Sequence, residues 1–168
     1  AATGTAVAAR LLELESFFLY PSALAELDTT TLDATFAAAE GLRAACERLG
    51  AEAVAAVSGG SELLRLSDGR RDDGRAPVPC LLAVGAVHQC LVAEGLRTRA
   101  SLVVESDEPR ETHHFATLLG YGADAICPVL VLETMAALAA ADKVGGDHPS
   151  PDEAQRRFRE AMEDGILK

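Results

Sequence analysis

Short apolar runs alternate along this chain with longer stretches in which apolar residues recur every three or four positions. The first pattern is that of strands and the second that of helices. Residues 5–20 read as a helix, with Leu11, Leu14 and Phe18 on one face and Phe17 widening it; Pro21 ends it and Ser22 caps the turn that follows. Thr29, Thr30, Thr31 and Leu32 form a β-branched run ending at Asp33, a first strand. Residues 37–57 are an Ala-rich helix with Leu42, Ala45, Leu49 and Val54 on one side, stopped by Gly59 and Gly60. Residues 62–66 are a second strand, closing on Ser67 and Asp68.

The polar, Gly- and Pro-rich residues 67–79 are a loop. A helix runs over 79–94 to Gly95, and 102–104 is a short apolar strand bounded by Ser101 and Glu105. Pro109 opens a helix to about 119, Gly120 and Gly122 break it, and 125–127 is a fourth strand. Pro128 begins a helix to about 141. After a loop, Ser150 and Glu153 make a capping box for a last helix over 151–163. Strand and helix alternate four times, which predicts an α/β fold: βα units with right-handed crossovers and a parallel sheet of about four strands, either doubly wound or partial-barrel-like, with helices at both ends. Residues 1–24 are expected to be a connector and 25–168 the α/β domain.

Composition narrows the function classes. With 168 residues the chain can build one core. A net charge of −11 argues against a nucleic-acid surface. No apolar run is long enough to cross a membrane, and Glu13 and Glu15 interrupt the first apolar stretch, so no secretory signal is expected. Cys46, Cys80, Cys90 and Cys127 lack zinc-site or cluster spacing, which predicts reduced, buried thiols in a reducing compartment.

In parallel α/β folds ligands meet the carboxyl ends of the strands. Asp33, Ser67, Asp68, Glu105, Ser106 and Cys127 fall there, although turn and capping chemistry alone accounts for the Ser and Asp residues. His113 and His114 are adjacent, so on a helix they point about 100° apart and do not share a metal readily. One of them is expected to meet Glu105, as a structural or pH-sensitive contact. His88 and His148 read as non-catalytic. The sequence has no GxSxG elbow, Walker sequence, GxGxxG or HExxH. The residues describe an α/β domain without a complete active site.

The wording of three stretches is more specific. LLRLSD (63–68), APVPCLLAVGAVHQCLVAEGLRTRASLVVES (76–106) and EPRETHHFATLLGYGADAICPVLVLET (108–134) resemble the central domain of glutamate synthase, the large-subunit or ferredoxin-dependent kind. LDTTTLDATF and GLRAACERLGAEAVAAV upstream, and FREAMEDGILK downstream, resemble it more weakly. The chain departs from the family pattern at Gly69, which separates Asp68 from Arg70, at His88-Gln89-Cys90, and at Cys80, Cys127 and Val129.

The resemblance implies a fragment of a larger chain. In that family an amidotransferase domain releases ammonia from glutamine, and an FMN domain with a 3Fe–4S cluster uses it to make glutamate from 2-oxoglutarate. The central domain joins the two and contributes to the ammonia passage. It implies no catalytic, cofactor or metal residue in this chain, which alone is expected to be inactive. Ser67, Asp68, Glu105, His113 and His114 are then strand-end or passage-lining residues. The partners are the amidotransferase and FMN domains, not nucleic acid or membrane, and the compartment is the cytoplasm or, in a photosynthetic eukaryote, the plastid. Two alternatives stay open: a free-standing scaffold or small-molecule-binding protein derived from that domain, and a small enzyme using Glu105 with His113 or His114.

Overall fold

The computed structural model describes residues 14–69, 74–145 and 147–168. Four parallel strands, β1 (Thr30–Asp33), β3 (Leu63–Ser67), β5 (Ser101–Ser106) and β6 (Ala125–Pro128), form one sheet in the order β1-β3-β5-β6. Between them run α2 (Leu42–Ser58), α3 (Cys80–Ala93) and α4 (Thr112–Gly120). Each strand is added on the same side of the last, so right-handed crossovers place all three helices on one face. Of the two arrangements expected, this is the partial-barrel one, without a reversal of strand order.

The covered face carries Leu32, Leu64, Leu66, Leu102, Val104 and Ile126. They pack against Ala45, Leu49, Ala53 and Val57 of α2, Ala83, Val84, Val87 and Leu91 of α3, and Phe115 and Leu118 of α4. The opposite face is set by the period of two. Register aligns Thr31, Arg65, Val103 and Ala125 in one row, and Asp33, Ser67, Glu105 and Cys127 in the next. Over β5 and β6 that face is covered by Leu19 and by Leu24 of α1 (Pro21–Ala25). Over β1 and β3 it is open among the described residues, with Thr31 exposed and Asp33, Arg65 and Ser67 half-buried.

The expected first helix takes a different form. Residues 5–13 lie outside the described residues, and 14–20 form no helix, with Phe18 bridged to Ile126. Edge strand β6 would otherwise present unpaired backbone groups. The Ile126 N–H donates to the Phe17 carbonyl at 2.7 Å and the Leu19 N–H donates to the Ile126 carbonyl at 2.9 Å. Pro21 opens α1 rather than ending a helix, and its cap is Tyr20, not Ser22. The Ala-rich helix starts at Leu42, because Thr35–Ala37 is a strand, β2, antiparallel to β4 (Arg75–Pro77) inside the expected loop. Helix α4 starts at Thr112, three residues after Pro109.

The last two helices, α5 (Val129–Ala140) and α6 (Pro151–Ile166), pack on each other. Helix α5 is apolar but for Glu133 and Thr134, yet only Leu132 is buried, and Leu130 and Leu138 are exposed. The Ser150 hydroxyl caps α6 by accepting the Glu153 N–H at 3.2 Å. The capping box is half formed, since the Glu153 carboxylate turns to Arg156 and Arg157.

Helices α2 and α3 approach closely at Gly50, where an added Cβ would clash with Cys90 Sγ. Gly50→Ala is expected to cost about 1–3 kcal/mol by overpacking. Cys90→Ala in the same chain should recover most of it, as urea unfolding of the single and double variants would show.

Candidate functional site

The open face of the sheet gathers the polar residues of the strand ends. Arg65 is the one charged residue of β3, an otherwise apolar strand ending in Ser67. Its position on the same face as Glu105, one step earlier along the neighbouring strand, lets the guanidinium reach forward. Arg65 Nε donates to Glu105 Oε2 at 2.9 Å, and Arg65 Nη2 donates to Glu105 Oε1. The Ser67 hydroxyl donates to the same carboxylate and accepts the Gly69 N–H at 3.2 Å. The Glu105 side chain is only 14% exposed and Arg65 28%, so the pair is held in a partly desolvated setting. A two-point guanidinium–carboxylate contact also fixes orientation.

This pair borders a hollow of about 480 Å³ closed on one side by α5, with Ser67, Asp107, Leu130 and Glu133 among its lining. Cys127, paired with Glu105 across β5 and β6, is fully buried, and burial, then the nearby Glu105 charge, pushes its thiol up to about 12 from an ordinary 9.0. Cys127 is therefore a protonated core residue and not a nucleophile.

The other candidates are drawn into turns. Asp33 Oδ1 accepts the Thr35 N–H at 3.0 Å and the Thr35 hydroxyl at 2.6 Å, while Arg75 Nη2 donates to Asp33 Oδ2 at 3.1 Å. Asp68 accepts from the buried Ser106 hydroxyl at 2.6 Å, and Ser106 accepts the Glu108 N–H at 3.1 Å. Glu108 in turn accepts the Cys80 N–H at 3.0 Å, so the β5–α4 loop caps the start of α3. Burial first, then Glu108, raises the Cys80 thiol far above its ordinary range.

Glu105 does not meet the histidines. His113 is exposed on α4. His114 Nδ1 accepts the Arg110 N–H at 3.2 Å, and its Nε2 lies 3.4 Å from Glu111. His114 lines a separate hollow of about 360 Å³ with Cys80, Glu108, Arg110 and Thr117. Strand β5 carries Glu105 onto the open face, while α4 packs on the covered one, so sheet geometry separates them. The small-enzyme alternative loses its acid–base pair.

Two arginines that composition did not single out are central. Arg65 is one; its signal was a lone charge in an apolar strand, which demands a partner on the same face. Arg97, which follows α3, is the other. It donates from Nε to His88 Nδ1 at 3.1 Å, from Nη1 to the Ala100 carbonyl at 2.6 Å, and from Nη2 to the Gly122 carbonyl at 2.7 Å and to Asp124 at 2.9 Å. His88 thus has a structural role.

The thiols do not suit an iron–sulfur cluster. Cys46 lies in α2, Cys80 and Cys90 ten positions apart in α3, and Cys127 in β6. Among the described residues no group of three or more His, Cys, Asp or Glu is placed to hold a metal ion. No described helix is long and apolar enough to cross a membrane.

Fold and site together define a partial-barrel α/β domain whose polar residues pair with each other. The model of the glutamate synthase central domain matches residues 4–168. The chain is 41% identical over 141 residues to the glutamate synthase [NADH] of Schizosaccharomyces pombe, covering 82% of this chain and 7% of that protein. It is 45% identical over 126 residues to the chloroplastic ferredoxin-dependent glutamate synthase of Oryza sativa (70% and 8%). It is 38% identical over 143 residues to the glutamate synthase [NADPH] large chain of Bacillus subtilis (85% and 9%). The chain belongs to the glutamate synthase central domain family and spans less than a tenth of the length of these relatives.

Arg65→Met leaves the Glu105 carboxylate without its cation. It is expected to destabilise the chain by about 1–3 kcal/mol, and by more than Arg65→Met with Glu105→Gln, in urea unfolding. The Cys127 thiol ionises in the unfolded chain from pH 9.0 upward but in the folded chain only near 12. Folding stability tied to it is therefore complete below pH 9.0 and falls as pH rises toward 12. Unfolding midpoints at pH 8 and 10.5 should show a smaller decline for Cys127→Ala.

Proposed function

We propose that this chain is the non-catalytic central domain of a glutamate synthase, and that it joins a glutamine amidotransferase domain to an FMN domain and helps to form the ammonia passage between them. Residues 1–24 lead in from the first of these, and FMN and a 3Fe–4S cluster fall to other parts of the longer chain. One observation carries the reading. A parallel sheet is normally covered on both faces, and this one leaves an ordered polar row open over β1 and β3. That row, with Arg65, Ser67 and Glu105 hydrogen-bonded to one another, gives a wall that can face a small polar molecule without offering a free nucleophile or base. Ser67, Asp68 and Glu105 border the hollow there, whereas His113 and His114 belong to the other side of the sheet and are not part of this wall.

The full-length protein tests this. Glu105→Gln and Arg65→Met are expected to leave glutamine hydrolysis intact and to lower the glutamate formed per glutamine hydrolysed by roughly two- to tenfold. Free ammonia should appear in the medium. Synthesis from added ammonium salt should be unchanged. An unaltered glutamate-to-glutamine ratio in both variants would refute the passage.

A further inference from the structure

Helix α3 has no charged face. Between Arg75 and Glu94 the sequence holds no Asp, Glu, Lys or Arg, although these residues make up 24% of the chain. Yet α3 lies in the outer layer between α2 and α4, and only its inward side is buried, through Ala83, Val84, Val87 and Leu91. Its neighbour α2 meets water in the ordinary way, with Arg43, Glu47 and Glu52 exposed. A helix that is apolar all round is one that is covered all round.

The outward side of α3 is a stripe. Leu82, Gly85, Gln89 and Val92 follow one another at helical spacing, and Leu82 is 44% and Val92 49% exposed. From the first to the last the stripe runs about 15 Å. Tyr121, from the turn after α4, lies against it: an added Cβ at Gly85 would stand 3.4 Å from Tyr121 Cδ1. The ring is nevertheless 56% exposed. Its turn is fixed in place, because Gly122 packs on His88 of α3 with no room for a Cβ. Two aliphatic side chains and a pre-placed tyrosine are the kind of group on which binding energy concentrates.

The size of the patch and the path of the chain say what covers it. A stable pair of separate molecules buries about 1,200 Å² or more, which Leu82, Tyr121 and Val92 do not supply. A domain tethered in the same chain is present at an effective concentration of about millimolar, so a patch of this size suffices for it. The relatives are more than ten times as long as the segment they share with this chain. Phe18 bridges Ile126 in parallel, so residues 14–20 run with the strands and come in from their amino ends. Tyr121, just ahead of β6, and Val92, near the end of α3, stand at that same end of the sheet.

We propose that the outward face of α3, anchored by Leu82, Tyr121 and Val92, is the docking surface for an apolar, uncharged face of the domain that precedes this one in the longer chain. That a domain precedes it rests on the proposed function; that the face is built to be covered rests on the geometry above.

The full-length protein tests this. The photoreactive residue p-benzoylphenylalanine is placed at Tyr121, at Val92 or, as a control, at Glu47 on the charged face of α2, and cross-linked peptides are mapped by mass spectrometry. The probes at Tyr121 and Val92 are expected to give cross-links within one molecule to peptides that precede residue 1, in about tenfold higher yield than the probe at Glu47. Leu82→Glu should lower the yield from the Tyr121 probe about threefold or more, without moving the urea midpoint of the chain, since the position is exposed. Cross-links to a second copy, cross-links to peptides that follow residue 168, or yields no higher than at Glu47 would each overturn the proposal. Cross-linking reads contact and not ammonia transfer. An unaltered glutamate-to-glutamine ratio with these cross-links in place removes the passage and leaves the docking surface, and the converse result does the reverse.

Discussion

Strands taken in chain order, each joined to the next by a right-handed crossover, force α2, α3 and α4 onto one face of the sheet. The rest of the molecule follows from that one-sidedness. The covered face is filled by aliphatic side chains from alternate strand positions. The other face must be closed by whatever the chain has left, and among the described residues α1 with Leu19 covers β5 and β6 and reaches Leu63 at the start of β3. Over β1 and β3 the solution is chemical rather than steric. Arg65, Ser67 and Glu105 satisfy one another across neighbouring strands, so a half-covered parallel sheet can present polar groups without leaving a charge unpaired.

The same constraint explains why the acids, hydroxyls and histidines near the strand ends do not come together. Strand-end residues divide between the two faces by parity. Glu105 goes to the open face, and Ser106 goes inward to meet Asp68. Asp33 spends both carboxylate oxygens, on Thr35 in the turn to β2 and on Arg75 of β4. His114 stands on α4, beyond the covered face.

Much of the fold was legible because its periodicities are local. Val103 and Val104 in an apolar run, the Gly59-Gly60 stop after an Ala-rich helix, and Ser150 ahead of Glu153 each act within a few residues. The errors lie where a distant partner overrides a local preference. Phe17 and Phe18 sit at helical spacing with Leu14, but their backbone pairs with Ile126, more than a hundred residues away. Ala37 reads as the start of the Ala-rich helix, yet it ends β2, to which Arg75–Pro77 returns to pair. Proximity in sequence suggested that Glu105 meets a histidine of the next helix, and strand parity decided otherwise.

By itself the sequence determined the alternation of βα units, the position of the core residues, the family, and the lack of a complete catalytic motif, because each is written in the order and spacing of residues. Tertiary structure alone decided which face each strand-end residue joins, that Arg65 is Glu105's partner, and that the first and last segments meet at Phe18 and Phe158. Those outcomes depend on sheet register and on contacts between residues far apart in the chain, and no local preference encodes them.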